Sequence, residues 1–306
     1  MYDVIIIGAG PAGLTAALYC GRARLHTKLI DKASAGGQLN LTYEIENYPG
    51  VPKVSPSQLV ESMLNQVKTL EDVEFEEFKE IVEVKNSDII EVVVKSGGDE
   101  NISYKSKSLI IASGANPKKL GLPGEERLTG RGVSYCAVCD GPFFKNKDLV
   151  LLGGGDTAIE EAIYLTKFAS TVTVIHRRDQ LRATKILQDR LKSNPKIRLV
   201  LDSVAEEILG DSRVEKIRIK NLKTDKLEDI ICSGVFIFVG YSPNTCFLNN
   251  LLELDQDKYI ITDEKMSTKQ KGIFACGDCR KRPFRQVITA CGEGAVAAHS
   301  VEQYLC

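Results

Sequence analysis

The sequence predicts an α/β fold made of two similar parallel-sheet units, the second inserted into the first. Three observations carry this reading. The chain opens with an apolar run, a glycine-rich turn and a helix, and the same layout returns about 145 residues later. The closing segment, Cys246 to Cys306, is too short for a comfortable core of its own, so it is expected to complete the first unit. The length of 306 residues suits two domains at ~150 residues each.

The elements follow in order. Tyr2 to Ile7 reads as a strand, Gly8-Ala9-Gly10-Pro11-Ala12-Gly13 as a tight turn, Leu14 to Tyr19 as helix, and Thr27 to Ile30 as a second strand closed by Asp31. Ser55-Pro56 is an N-cap followed by proline at the first helical position, with a helix running to about Leu70. Val73 to Val94 carries short strands, Ser96-Gly97-Gly98-Asp99 a turn, and Leu109 to Ala112 a buried strand. The second unit repeats the plan. Leu149 to Leu152 is a strand, Gly153 to Ala158 a turn, Ile159 to Phe168 a helix and Thr171 to Ile175 a strand. A helix near Ile186 to Lys192, hairpin strands around Gly210-Asp211-Ser212, a buried strand at Val235 to Val239 and a final helix from Thr289 to Leu305 complete the pattern. Ala115-Asn116-Pro117 and Tyr241-Ser242-Pro243-Asn244 read as the two linkers. The expected division is residues 1–114 with 246–306, and 117–243, with hinges near 115–117 and 241–245.

Composition excludes several classes. Apolar residues make up 43% and charged residues 26%, as in globular proteins rather than disordered or disulfide-stapled ones. Forty basic against 41 acidic residues leave a net charge of −1, so neither nucleic acid nor an anionic membrane is called for. The longest apolar runs are strand-length, well below the ~18 residues of a membrane-spanning helix. The chain enters a strand at once, without a cationic or apolar leader, so a cytoplasmic setting is expected. Nine cysteines there are more naturally reduced thiols or redox groups than structural staples. Four of them form two Cys-x-x-Cys pairs, Cys136/Cys139 and Cys276/Cys279. Cys20, Cys232, Cys246, Cys291 and Cys306 read as small buried or terminal residues.

The two glycine turns are the first functional signal. A dinucleotide fold needs one glycine for the sharp turn, one for approach of the pyrophosphate, and one for close helix–strand packing. Gly8, Gly10 and Gly13 meet this, and the helix start offers N–H groups to phosphates. Asp31 stands where a carboxylate binds ribose hydroxyls. Gly153, Gly155 and Ala158 repeat the pattern, but the second strand ends in His176-Arg177-Arg178, followed by Arg182. Guanidinium groups bind a 2′-phosphate that a carboxylate repels, so this site is read as one for NADPH. A second dinucleotide site then holds the electron carrier, most simply FAD. The fold class is therefore two Rossmann-like dinucleotide-binding domains, each a three-layer parallel sheet with an added β-meander.

Cys136-Ala137-Val138-Cys139-Asp140 lies just before the second unit's first strand. A thiol pair at this spacing closes a small disulfide and exchanges it with another. Zinc is disfavoured, because the two Cys pairs are too far apart in sequence for a ribbon site. Asp140 is placed to move a proton during exchange, or to cap the turn ahead of Gly141-Pro142.

With these motifs in order along essentially the whole chain, the sequence resembles the low-molecular-weight thioredoxin reductases. The resemblance also rests on Gly36-Gly37-Gln38-Leu39, Glu46-Asn47-Tyr48-Pro49-Gly50, Gly277-Asp278, Arg285-Gln286 and Thr289-Ala290. It implies FAD contacts from the first glycine turn, Pro11 and Ala12 included, and from Asp31 and Lys32. Further contacts are implied at Gly37, Gln38, Leu39, Asn47 and Ala112, at Gly277 and Asp278, and at Arg285, Gln286 and Val287. NADPH contacts are implied at Gly153, Gly155, Asp156, Thr157 and Ala158, and at His176, Arg177, Arg178 and Arg182. Cys139 is implied to lie nearest the flavin, with Cys136 its partner and Asp140 the exchange acid. The implied activity is a relay from NADPH through FAD and the Cys136–Cys139 disulfide to oxidised thioredoxin, in a homodimer whose NADPH domain swings about the linkers. Reduction of another partner disulfide, a ferredoxin-driven variant and a flavin redox sensor are the alternatives. The retained arginines speak against the ferredoxin-driven form. Where the family has small apolar residues around Gly277-Asp278, this chain has Cys276 and Cys279, expected to be buried and inert.

Overall fold

A computed structural model of the chain describes residues 1–41, 45–95 and 101–306. The turn expected at Ser96 to Asp99 lies outside the described residues. The chain divides into two compact units, one of Met1–Asn40, Glu44–Asn116 and Ser242–Cys306, the other spanning Pro117–Tyr241.

The first unit opens with β1 (Tyr2–Ile7), α1 (Pro11–Arg22) and β2 (Thr27–Ile30). Then come α2 (Pro56–Lys68), β3 (Val73–Glu76), β4 (Ile81–Asn86), β5 (Ile90–Lys95) and β6 (Asn101–Ile111). Strands β3, β2, β1 and β6 lie parallel, and β5 and β4 extend the sheet antiparallel in the order β3-β2-β1-β6-β5-β4. Side chains alternate along β1. Val4 and Ile6 join the helix-facing core with Leu14, Ala16, Ala17 and Val301, while Ile5 and Ile7 join the core on the other face with Val92, Val94 and Leu109. Helix α2 starts where Ser55 and Gln58 form a reciprocal capping box ahead of Pro56.

The chain leaves through β7 (Ala115–Pro117) and enters the second unit at α3 (Glu125–Leu128), β8 (Val133–Ser134) and α4 (Ala137–Asp140). There follow β9 (Asp148–Gly153), α5 (Asp156–Leu165), β10 (Thr171–Ile175), α6 (Lys185–Lys192) and β11 (Ile197–Val200). A meander of β12 (Ser203–Leu209), β13 (Lys216–Asn221) and β14 (Leu227–Ile231) precedes β15 (Gly234–Phe238). The parallel sheet runs β11-β10-β9-β15-β8, and the meander is a separate antiparallel sheet. The chain returns through β16 (Tyr241–Pro243), which pairs with β7. The linkers expected as plain turns are thus a short ribbon.

The last segment adds β17 (Ile273–Ala275), parallel to β6, and α7 (Val287–Leu305). Helix α7 packs closely on α1: a Cβ on Gly294 would lie 2.2 Å from the Ala12 carbonyl oxygen. Among the scattered cysteines, Cys20, Cys232 and Cys291 are buried and Cys306 is exposed at the terminus. Cys246 is exposed instead of buried, because it begins a short surface turn at Cys246–Leu248.

Candidate active site

Register gathers the first unit's functional residues at one end of its sheet. Ile7 pairs with Ile30 and with Ile111, and Ile111 with Ala275. The residues that follow these strand ends are Gly8, Asp31, Ala112 and Cys276, so the carboxyl edge collects the predicted cofactor residues, as open α/β sheets do.

The glycine turn has the geometry the fingerprint requires. Gly8 has φ +105°, and a Cβ there would sit 2.3 Å from the Ala112 oxygen. A Cβ on Gly13 would come within 1.7 Å of the Gly8 oxygen. Gly10 is different: nothing lies within 4 Å of its Cβ position. First and third glycines are demanded by packing, and the middle one faces open space where a pyrophosphate fits against α1. Asp31 accepts hydrogen bonds from the Ala9 and Ala33 N–H groups, which ties the second strand's end to the turn. Burial raises the Asp31 carboxyl above its ordinary range, and those two N–H groups pull it back. Lys32 is exposed beside it.

The remaining expected residues close round this edge. Gly37 begins a 3-10 turn, Gly37–Leu41, with Gln38 half-buried and the Leu39 side chain in the core. A Cβ on Gly37 would lie 3.4 Å from the Gly10 Cα. Asn47 Nδ2 donates to Gln286 Oε1 at 3.0 Å across 239 residues of sequence. Gly277, at φ +76°, packs against Ala12. Asp278 Oδ1 accepts from Arg282 at 2.6 Å. Arg285 lies 4.2 Å from the centre of the Tyr259 ring, its buried Nε without a hydrogen-bond partner among the described residues, and Val287 opens α7. An open cradle, a carboxylate at the second strand's end and a buried donor fit FAD.

The second unit repeats the design with different ends. A Cβ on Gly153 would meet the Phe238 oxygen at 2.5 Å and Ala158 Cβ at 2.6 Å, whereas that of Gly155 meets nothing within 4 Å. Asp156 Oδ1 accepts from the Thr184 N–H at 2.7 Å, with Thr157 half-buried beside it. The N–H groups of Arg182 and Ala183 both donate to the Gly154 oxygen, which brings the basic segment to the turn. Arg177, Arg178 and Arg182 are exposed, and none has an ion-pair partner among the described residues. His176 is buried against Gly154, where a Cβ would strike its ring at 2.4 Å. Burial, then the Arg182 charge, lowers its pKa and keeps the ring neutral. An open cradle beside unpaired guanidinium groups fits a nucleotide with a 2′-phosphate.

Cys136 and Cys139 form a disulfide across α4. Cys136 is the extended residue that opens the turn, and its sulfur accepts the Cys139 N–H at 3.1 Å. Cys139 is exposed and Cys136 half-buried. The Asp140 carboxylate has no hydrogen-bond partner among the described residues, leaving it available for proton transfer. Ala137 anchors the turn in the core of the second unit, and Gly141 packs on Leu165 and Phe168. Sequence reasoning missed Phe143, whose ring is 82% exposed just beyond this turn. It also missed Arg280, Arg282 and Glu293, which partner one another around Gly277 and Asp278. The Pro-Phe-Phe run was the one available hint of the first; no motif marks the others.

Comparison with known proteins agrees with this geometry. The family described as pyridine nucleotide-disulphide oxidoreductase matches residues 2–294. Thioredoxin reductases of Peptoclostridium litorale and Bacillus subtilis are 44% and 45% identical, covering all of this chain and 97% and 95% of theirs. The crystal structure of Lactococcus lactis thioredoxin reductase superposes with a TM-score of 0.96 at 43% identity, over 100% of this chain and 99% of that one. No helix among the described residues is long and apolar enough to cross a membrane. The chain, with two nucleotide cradles and an exchangeable disulfide, belongs to the pyridine nucleotide-disulphide oxidoreductase family, in its low-molecular-weight thioredoxin reductase branch.

Proposed function

We propose that this chain is an NADPH-dependent thioredoxin-disulfide reductase in which Cys136 and Cys139 are the exchanging sulfurs. The observation that carries the reading is the Cys136–Cys139 disulfide, half open to solvent beside an unpaired carboxylate and in the same unit as an unpaired arginine cluster. When bound, FAD would supply the two-electron redox chemistry that links NADPH to this disulfide. The first glycine turn, Asp31, Asn47, Asp278 and Arg285 to Val287 hold FAD in this assignment. The second turn orients NADPH, and Arg177, Arg178 and Arg182 select it through the 2′-phosphate.

Exchange is the work of the α4 turn. The Cys139 N–H at the Cys136 sulfur favours a thiolate there once the bond is open, so Cys136 is assigned as the attacking sulfur. Cys136 passes its thiol proton to the Asp140 carboxylate, the thiolate attacks one sulfur of the thioredoxin disulfide, and Asp140 returns that proton to the thiolate that leaves. Cys139 then attacks Cys136, which restores the internal disulfide and releases the second thioredoxin thiol. The exposed Phe143 ring, which follows the α4 turn in sequence, offers the partner an apolar contact.

The two units are assigned as FAD and NADPH domains, with a hinge at the β7/β16 ribbon. A homodimer in the cytoplasm completes the proposal. Leu18, Tyr19, Tyr48 and Met63 line a groove on the outer side of α1 and α2 that suits a second copy. The test is optical. NADPH should bleach the flavin absorption of the purified protein, and oxidised thioredoxin should restore it. Persistent bleaching after thioredoxin is added would rule out thioredoxin as acceptor.

A further inference from the structure

Around Gly277 and Asp278, buried charges form a closed network that no fingerprint predicts. The Arg282 side chain is only 2% exposed. Its Nη2 donates to Asp278 Oδ1 at 2.6 Å and its Nη1 to Glu293 Oε2 at 3.0 Å. Glu293, on α7, also accepts the Gly277 N–H at 2.8 Å and, through Oε1, Arg280 Nη1 at 2.8 Å. One acid on a helix thus ties two guanidinium groups and a peptide N–H to the turn that carries Asp278. Two carboxylates and two guanidinium groups balance in charge. The buried Nε–H groups of Arg280 and Arg282 have no hydrogen-bond partner among the described residues.

We propose that Arg282, braced by Glu293, is a positioning residue for FAD: it orients the Asp278 carboxylate that receives the cofactor. This rests on the assignment of this edge to FAD. Asp278 is half-buried, with its side chain 30% exposed, and that partial burial by itself favours the neutral acid. Burial does raise its carboxyl, Arg282 and then Arg285 oppose that rise, and Glu293 adds to it. Arg282 is therefore the main group that keeps Asp278 an acceptor, and its planar fork fixes which oxygen faces away from the protein. Among the described residues the Arg280 side chain reaches Glu293 and the Met266 sulfur and no other hydrogen-bond partner, so its part is to hold the brace.

The experiment measures FAD release from the loaded full-length chain after dilution, by the fluorescence of freed flavin. It compares the parent with Arg282→Lys, Arg282→Met, Asp278→Asn and the Met/Asn double variant. Losing a charge-assisted hydrogen bond should speed release at least about tenfold in Arg282→Met. Arg282→Lys should recover most of that, and the double variant should release FAD no faster than Asp278→Asn alone, since the arginine acts through the acid. Equal release from parent and Arg282→Met overturns the inference. So do independent, multiplying effects, or a fall in thermal stability with FAD affinity unchanged, which would mark a brace and nothing more. If Arg282→Met does not fold, Arg282→Gln takes its place. A parent that binds no flavin overturns the cofactor assignment itself, a different result from a parent that binds FAD and ignores position 282.

Discussion

Each unit carries a Cys-x-x-Cys turn, and the two turns begin alike: an extended cysteine followed by one helical turn. Their surroundings make them opposites. Cys136 opens the α4 turn and Cys139 lies on it, after the two-residue strand β8, with Cys139 open to solvent and the sulfurs joined. Cys276 and Cys279 follow β17 at the end of the first unit's sheet, both 0% exposed and both thiols. The Cys276 N–H is held by the Ile111 oxygen, and the Cys279 thiol donates to the oxygens of Ile111 and Cys276. Burial pushes Cys279 up to about 11 and Cys276 well above the ordinary thiol. A thiol that does not ionise and meets no partner does not exchange. Spacing sets the turn; burial decides whether the sulfurs react.

The largest effect should come from the exposed pair. With Cys136→Ser and Cys139→Ser, thioredoxin turnover should fall by at least about a thousandfold, while NADPH still bleaches the flavin, because only the last carrier is lost. Retained turnover would end the assignment. The strand ends provide the next contrast, since the first unit presents Asp31 where the second presents arginines. Arg177→Gln with Arg178→Gln should raise KM for NADPH about 10- to 100-fold and leave that for NADH within about twofold. Equal shifts for both nucleotides would remove the 2′-phosphate from the argument.

Carboxyls differ between the units as well. Asp278, half-buried, has Arg282 as its partner, whereas Glu161 on α5 is 5% exposed and its Oε2 has no hydrogen-bond partner among the described residues. Burial, with a smaller push from Glu160, raises Glu161 to about 8. The folded state therefore holds a proton that the unfolded chain loses above about pH 4.5. Below that pH the residue costs nothing. From there to pH 8 its cost grows, to a few kcal/mol. Glu161→Gln should raise Tm at pH 8 and barely change it at pH 4.5; an equal gain at both would contradict the burial argument. The smallest effect belongs to the buried cysteines. Cys276→Ala with Cys279→Ala should leave turnover within about twofold and lower stability by ~1–2 kcal/mol in chemical unfolding. Loss of turnover with FAD still bound would make this pair catalytic and erase the contrast.

Much of this was legible in the chain itself, because it is local. The glycine turns were legible because contacts below 3 Å leave no room for a Cβ at Gly8, Gly13 or Gly153. The dithiol, the strand-end aspartate and the arginines are fixed by their distance from those turns. Where the sequence extended a helix through Phe168, α5 stops at Leu165. Helix ends depend on how the last carbonyls are satisfied, which a pattern of apolar residues does not record.

The order of residues by itself determined two nucleotide cradles, the preference for a 2′-phosphate and the presence of an exchangeable thiol pair. Only the tertiary structure decided which Cys-x-x-Cys meets solvent, that Asn47 meets Gln286, and that Glu293 gathers Arg280, Arg282 and the Gly277 peptide. The reason is physical. Turn geometry is settled among neighbouring residues, but burial and charge pairing are settled by segments that meet only once the sheet has assembled.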